Sequence, residues 1–265
     1  FHIVIAAALW LELQAGLSCG GTNMVRVVSL APNITEIICA IGGADMLVGR
    51  TSACNYPPEV VSKVPVIGGF GKPAMESLIA AKPTLIIEID LDDKALSQKI
   101  KSLDLNMKHV PCRTLDEIPA AIRNVGASMG LQARAEELAS QLESGLAEIR
   151  KAGTPSNPPA VFFEIWGDPL MTAGKNSFVA ELVRLAGGRN VGDEITEKDY
   201  AQVSSEWVVS KKPDIIITTG SMAESSRKKS IISRVGWQNV PAVRNNRIYD
   251  NINADAAVRP GPRVL

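Results

Sequence analysis

The chain has 265 residues, 46% of them hydrophobic and 21% charged, a length sufficient for two domains and a balance typical of globular proteins. Its 28 basic residues match its 28 acidic residues, so no overall positive field would attract nucleic acid or an anionic membrane. Only His2 and His109 are present, which disfavours histidine-rich metal sites and histidine-based catalysis. We therefore predict a globular protein without a nucleic-acid partner or a metal site.

The first 24 residues have the pattern of a bacterial export signal. An apolar stretch interrupted by Glu12 is followed by small residues and Cys19. Because the stretch is short and interrupted, it does not predict a membrane span. We expect a cleaved precursor with a lipid on Cys19, and a membrane contact only through that possible anchor. A stray helix or a tag remnant is the alternative. Since the chain begins with Phe1, we expect the start of the signal to be missing.

Strands and helices alternate from residue 25 to residue 131. The apolar run VRVVSL predicts a buried strand, and the helix after it is expected to end at Gly42-Gly43. Further strands are predicted at MLVGRT, VPVIGG, TLIIEI and MKHVP, with helices around Glu76 and over residues 93–103 and 115–129. Parallel neighbours need crossover helices, so this order predicts an α/β fold with a mainly parallel, doubly wound sheet.

A single long helix is predicted to link two lobes. Residues 132–151 have high helix propensity and leucines at helical spacing. A Pro-rich break follows at Gly153, and a new strand begins at Ala160. We therefore predict an N-terminal lobe over 25–131, a linking helix over 132–152 and a C-terminal lobe over 153–265. A helix of this length spans about 30 Å, and such a strut would allow only modest closure.

The C-terminal lobe repeats the α/β pattern. Helices are predicted over 177–187 and 205–211, and strands at DIIIT and RIYDN. An α/β lobe of this type should continue beyond RPGPRVL into a closing helix, so we expect the chain to be cut there.

Two pairs of segments repeat in the same order. ESLIAAKPTLII begins at Glu76 and EWVVSKKPDIII at Glu206, while TEIICAIGG aligns with AELVRLAGG so that Glu36 matches Glu181. Ordered repeats indicate a duplicated α/β unit. Two similar lobes create a cleft between them, where a small molecule can bind.

Six segments carry a family resemblance: VVSLAPNITEIICAIGG, SACNYPPEV, MESLIAAKPTLII, QVSSEWVVSKKPDIIIT, VPAVRNNRIY and RPGPRV. With the linking helix, they follow the order seen in the cobalamin and ferric-siderophore substrate-binding proteins of ABC importers, and the chain resembles that family over residues 25–265. The resemblance implies two Rossmann-like lobes bridged by a rigid helix. It also implies a transport function without catalysis or cofactor.

The resemblance assigns Glu76 and Glu206 to docking on a dimeric membrane permease. In the family, one such glutamate on each lobe contacts permease arginines. Paired carboxylates on a rigid body would register on two basic pockets. The alternative is structural, because a carboxylate in the first turn of a helix is also favoured by the helix dipole.

The resemblance also implies the ligand contacts. These are Tyr56 and Phe70 in the first lobe, Tyr200, Asp255 and Arg259 in the second, and Trp166 near an aromatic wall position. Aromatic walls with a few polar groups suit a broad corrinoid or metal-chelate ring. Phe70 and Tyr200 stand where closely related chains have tryptophan, and Ala256-Ala257-Val258 replaces an aromatic segment. The alternative interpretations are structural: the aromatic residues belong to the core, Arg259 caps a helix end, and Asp255 is only a turn residue.

Among ligands, we rank a corrinoid first, then a ferric siderophore and then haem. The rival class is an enzyme on the same two-lobed fold, which would need a cleft ligand such as Cys54. Binding of an unchelated zinc or manganese ion is a weaker third hypothesis, because the chain has few histidines.

Overall fold

The computed structural model describes residues 25–89, 94–219 and 224–265. The predicted export segment with Cys19 lies outside these residues. In the described part, no helix combines the length and apolar character needed to cross a membrane.

The N-terminal half is a four-stranded parallel sheet covered by helices on both faces. Its elements are β1 (Val27–Ser29), α1 (Pro32–Ala40), a 3₁₀ turn (Ala44–Met46), β2 (Leu47–Arg50), α2 (Pro58–Val61), β3 (Gly68–Gly69), β4 (Lys72–Pro73), α3 (Met75–Ala80), β5 (Leu85–Glu88), α4 (Lys94–Ser102), β6 (Met107–His109) and α5 (Glu117–Met129). The main sheet has the order β2-β1-β5-β6, and β3 pairs with β4 in a separate antiparallel ribbon. This arrangement confirms the predicted α/β class.

Burial on both sides explains the apolar strands of this sheet. Val27 of β1 packs into the core formed with α1 and α5, whereas the next residue, Val28, packs into a second core with Leu78 and Ile100. Successive side chains of a strand point to opposite faces. A continuous apolar run is therefore what a doubly covered sheet requires.

The helix α6 (Gln132–Lys151) follows directly and packs along α5. Its buried stripe joins the core of the N-terminal half and consists of Ala135, Ala139, Leu142 and Leu146. Gly126 of α5 allows the close approach, because a Cβ built there would lie 2.2 Å from the Cβ of Ala135. The connection is thus a packed helix, and it covers the residues 132–151 that the sequence predicts as helical.

The C-terminal half contains the second sheet. Its elements are β7 (Ala160–Gly167), β8 (Leu170–Ala173), α7 (Phe178–Leu185), β9 (Arg189–Asn190), β10 (Tyr200–Gln202), α8 (Ser205–Lys211), β11 (Ile215–Thr218), α9 (Glu224–Ile232), a 3₁₀ turn (Trp237–Asn239), α10 (Pro241–Arg244), β12 (Ile248–Tyr249) and α11 (Ala254–Val258). Strands β9, β7, β11 and β12 pair in parallel. An antiparallel extension through β8 and β10, which the sequence did not predict, completes the sheet.

The repeat is visible in how its helices end. Gly42 and Gly187 both have φ of 78°, a left-handed conformation that glycine adopts without steric cost. The N–H of the following glycine donates to the carbonyl of Ile38 in one half and of Val183 in the other, at 2.8 Å in both. Lys82 and Lys212, each before a proline, also share a left-handed backbone.

The two halves share contacts beyond α6. Phe178 of α7 is buried in the core of the N-terminal half, and Val264 packs against the same core from the far end of the chain. Cys112 donates a weak hydrogen bond from its Sγ to the carbonyl of Pro260 at 3.4 Å. Residues after α11 therefore return from the C-terminal half to the N-terminal half.

Candidate ligand-binding cleft

A buried carboxylate joins the two halves. Glu36 of α1 is only 3% exposed. Arg263 donates from Nε and Nη2 to its two carboxylate oxygens at 2.7 Å each, and Arg259 donates from Nη1 to Oε1 at 3.3 Å. Hydrogen bonding to Glu36 raises the pKa of Arg263. Two guanidinium groups compensate the burial of the carboxylate, which would otherwise be costly.

A second set of contacts holds the loop that follows β2. Arg259 donates from Nη1 to Oδ1 of Asn55 at 2.7 Å and from Nη2 to the carbonyl of Ala53 at 3.3 Å. Asp255 accepts from Nδ2 of Asn55 at 2.8 Å and pairs with Arg259 at 2.7 Å. Asn55 is thus held by a donor and an acceptor of the opposite half, and Asp255 and Arg259 are adjacent members of one network.

Tyr56 follows Asn55 and lies beside the same network. The guanidinium carbon of Arg263 is 4.2 Å from the centroid of the Tyr56 ring, within the range of a cation–π interaction. The residue is nevertheless 42% exposed. An aromatic ring with one covered face and an accessible remainder can serve as a wall for a flat ligand.

The other predicted aromatic residues lie on separate elements. Phe70 is 52% exposed, in the turn between β3 and β4. Trp166 is 46% exposed near the end of β7, and its indole N–H donates to the carbonyl of Asp168 at 2.7 Å. Tyr200 of β10 is half-buried, and burial, together with the charge of Asp199, raises its pKa to about 12. Phe70 and Trp166 are thus available to a ligand, and Tyr200 is partly so.

Both predicted docking glutamates are exposed at the second position of their helices, α3 and α8. In α8, Ser204 caps the helix by accepting from the N–H of Trp207 at 3.1 Å. Hydrogen bonds from the backbone N–H of Glu206 itself and from Ser204 lower the pKa of Glu206. In α3, Ala74 at the cap position makes no side-chain bond to the helix. A carboxylate in the first turn of a helix is compatible both with stabilisation of that helix and with docking on a permease.

Comparison with known proteins decides the family. The sequence profile described as "Periplasmic binding protein" matches residues 27–252. The chain belongs to the periplasmic binding protein family.

Relatives of this periplasmic binding protein include an ABC transporter substrate-binding lipoprotein of Bacillus subtilis, 31% identical over 91% of this chain and 76% of the relative. A haem-binding protein of Roseiflexus sp. RS-1, solved in apo form, superposes with a TM-score of 0.80 at 29% identity and covers 91% of this chain and 93% of its own. The vitamin B12-binding protein of Vibrio cholerae superposes with a TM-score of 0.79 at 27% identity, over 90% and 91% of the two chains. This chain therefore shares the two-lobed fold of these substrate-binding proteins.

In this periplasmic binding protein, the predicted site residues fall into two groups. Tyr56, Asp255 and Arg259 are brought together by shared partners, whereas Phe70, Trp166 and Tyr200 lie elsewhere on the two halves. Their contact with ligand stays a prediction. Sequence reasoning missed three members of the network: Glu36, Asn55 and Arg263. A signal existed for each, because Glu36 is in the repeat and the others lie within SACNYPPEV and RPGPRV.

Cys54, the residue on which an enzyme reading would depend, is buried beside Thr51 with 3.2 Å between Sγ and Oγ1. Among the described residues, Cys39, Cys54 and Cys112 are free thiols, and no group of three His, Cys, Asp or Glu side chains is placed to hold a metal ion. His109 instead contacts Glu88, with 2.8 Å between Nδ1 and Oε1.

Proposed function

We propose that this protein captures a corrinoid in the cleft between its halves and delivers it to the permease of an ABC importer. The observation that carries the proposal is the convergence of Tyr56, Asp255 and Arg259 at the junction of the halves. An aromatic face next to hydrogen-bonding groups suits a ring with an apolar body and amide edges. The vitamin B12-binding relative from Vibrio cholerae supports this ligand class.

Haem is the second candidate, because the relative from Roseiflexus is a haem-binding protein at similar identity and TM-score. Both ligands are broad metal-chelate rings, so the same aromatic wall would serve either. A ferric siderophore is the third candidate. Measured affinities for a corrinoid, haem and a ferric siderophore distinguish these three candidates.

The protein acts outside the cytoplasmic membrane in this proposal, in the periplasm or at the cell surface. Its partner is a permease dimer, contacted through Glu76 and Glu206. A lipid on Cys19 would supply the membrane attachment, and the Bacillus subtilis relative, which is a lipoprotein, supports that assignment.

The test is a titration of the purified protein with cyanocobalamin, dicyanocobinamide, haemin and ferrichrome, followed by absorbance and calorimetry. We expect saturable binding of a corrinoid at a stoichiometry of one, with weaker binding of the other compounds. Tight binding of haemin alone would move the assignment to haem, and failure of all four probes would refute the ligand class. Cys54→Ser should leave affinity unchanged, whereas turnover that depends on Cys54 would favour an enzyme.

A further inference from the structure

Arg263 is fixed in orientation by a buried partner. Its two hydrogen bonds to Glu36 are bidentate, at 2.7 Å each, and the Glu36 side chain is only 2% exposed. A bidentate pair fixes the plane of a guanidinium group as well as its position. Glu36 therefore fixes the guanidinium group that covers the Tyr56 ring, with 4.2 Å between the guanidinium carbon and the ring centroid.

The residue before Tyr56 is also anchored by the opposite half, through its side chain. Asn55 accepts from Arg259 at 2.7 Å and donates to Asp255 at 2.8 Å. One face of the Tyr56 ring is thus covered by Arg263. The loop before Tyr56 is held by Asp255 of α11 and by Arg259, the residue directly after that helix. The exposed 42% of Tyr56 is the part left for a ligand.

We propose that Arg263 is a positioning residue of the ligand cleft: it holds the Tyr56 ring so that the uncovered part is presented to a flat metal-chelate ligand. This inference rests on the proposed function. Because Arg263 follows α11 and Tyr56 follows β2, the orientation of the aromatic wall depends on how the two halves are arranged. Lysine would not substitute fully, since its ammonium group lacks the planar fork that pairs with Glu36 and stacks on the ring.

The placement of the ring can be measured without a ligand. The chain contains three tyrosines, at positions 56, 200 and 249, so protein labelled with 3-fluorotyrosine gives few fluorine resonances, and Tyr56→Phe assigns one of them. In Arg263→Lys and Arg263→Gln, we expect the Tyr56 resonance to shift or broaden while the other two stay in place. Arg123→Gln, which removes an arginine paired with Glu136 and Glu143 on the surface of α5 and α6, is the matched control.

The effect on binding is measured with whichever of the four probes binds the wild type. We expect Arg263→Lys to weaken that affinity about tenfold, the size of one cation–π contact. The loss should shrink in a Tyr56→Leu background, because the ring through which Arg263 acts is then absent. A purely structural role would give the same loss with or without the ring.

Two results would overturn the inference: a Tyr56 resonance unmoved in both Arg263 variants, or a loss of affinity in Arg263→Lys that Tyr56→Leu does not reduce. Circular dichroism shows whether each variant folds, and the lysine variant, which keeps the charge beside Glu36, replaces the glutamine variant if that one does not. If no probe binds the wild type, the proposed function fails, and the fluorine spectra alone decide whether Arg263 positions Tyr56.

Discussion

Glu36 and Glu181 occupy the same place in the two copies of the repeat, six residues before the glycine that ends each helix, and each accepts hydrogen bonds from the opposite half. Glu36 accepts from Arg259 and Arg263, whereas Oε2 of Glu181 accepts from the backbone N–H of Leu115 at 2.8 Å. Each of the two equivalent glutamates therefore connects its own half to the other half. The partners of Glu36 are charged side chains, whereas the partner of Glu181 is a neutral backbone N–H.

The difference in partners predicts a difference in stability. Glu36→Gln leaves two guanidinium groups beside an uncharged amide and should lower the free energy of unfolding by about 3–5 kcal/mol. Glu181→Gln weakens one hydrogen bond to a backbone N–H and should cost about 1 kcal/mol. Urea unfolding followed by circular dichroism measures both variants. Equal losses would mean that the ion pairs with Glu36 add nothing beyond a hydrogen bond from a neutral donor.

The two exposed glutamates should separate binding from delivery. Glu76→Ala with Glu206→Ala removes two exposed carboxylates that are not part of the described contacts of the Tyr56 network, so ligand affinity should not change. Stimulation of ATP hydrolysis by the permease in liposomes should be lost, because charge pairs at an interface govern encounter and orientation.

Glu137→Ala, which removes an exposed glutamate from α6, is the control for this docking prediction. It should leave both measurements as in the wild type. An equal loss of stimulation in Glu137→Ala would point to general surface charge, and a loss of ligand affinity in the double variant would contradict the division between docking and binding.

The surface cluster around Arg123 predicts a pH-dependent contribution. Hydrogen bonds from Arg123 lower the pKa of Glu136 from 4.5 to about 2 and also lower the pKa of Glu143. A lowered folded-state pKa means that the contribution is complete above the unfolded pKa and is lost as the pH falls through about 2. The difference in denaturation midpoint between wild type and Arg123→Gln should therefore narrow between pH 4.5 and pH 2.

Arg189→Gln, a change at an exposed residue of β9, controls for the removal of one positive charge. A difference between wild type and Arg123→Gln that stays constant on acidification would show that the Arg123 pairs do not contribute to folding.

The cysteines should react slowly in the folded protein. Burial raises the pKa of Cys112 to about 12 and that of Cys39 to about 11, so both are thiols at pH 8, and Cys54 is buried. In a Cys19→Ala background, we expect Ellman's reagent to react with Cys39 and Cys112 at least about 100-fold more slowly than with an unperturbed thiol. All three remaining cysteines should react at once in guanidinium chloride. A rapid reaction of either residue in the native state would contradict the prediction.

Local patterns predicted much of the fold. The helix α8 begins and ends where the sequence indicated, and α6 covers the predicted helical residues, because helix propensity, apolar spacing and Gly or Pro endings act within a few residues. The pair β8 and β10 was missed, since strands of three or four residues that lie among turns carry little periodic signal.

The cleft network was predictable only in part. Tyr56, Asp255 and Arg259 were proposed from motifs, but no local pattern relates Arg263 to Glu36, which is 227 residues away. Contacts of that separation depend on how the halves pack, and packing is a tertiary property. The resemblance suggested which segments matter without specifying which side chains pair.

The return of the chain after α11 sets an order on folding. Glu36 is among the first described residues, yet its cationic partners lie at positions 259 and 263. A polypeptide emerging from a ribosome would lack one or both cationic partners of this carboxylate until residue 263 had appeared. The buried carboxylate of the N-terminal half can therefore reach its native pairing only after residues 259–263 have been synthesised.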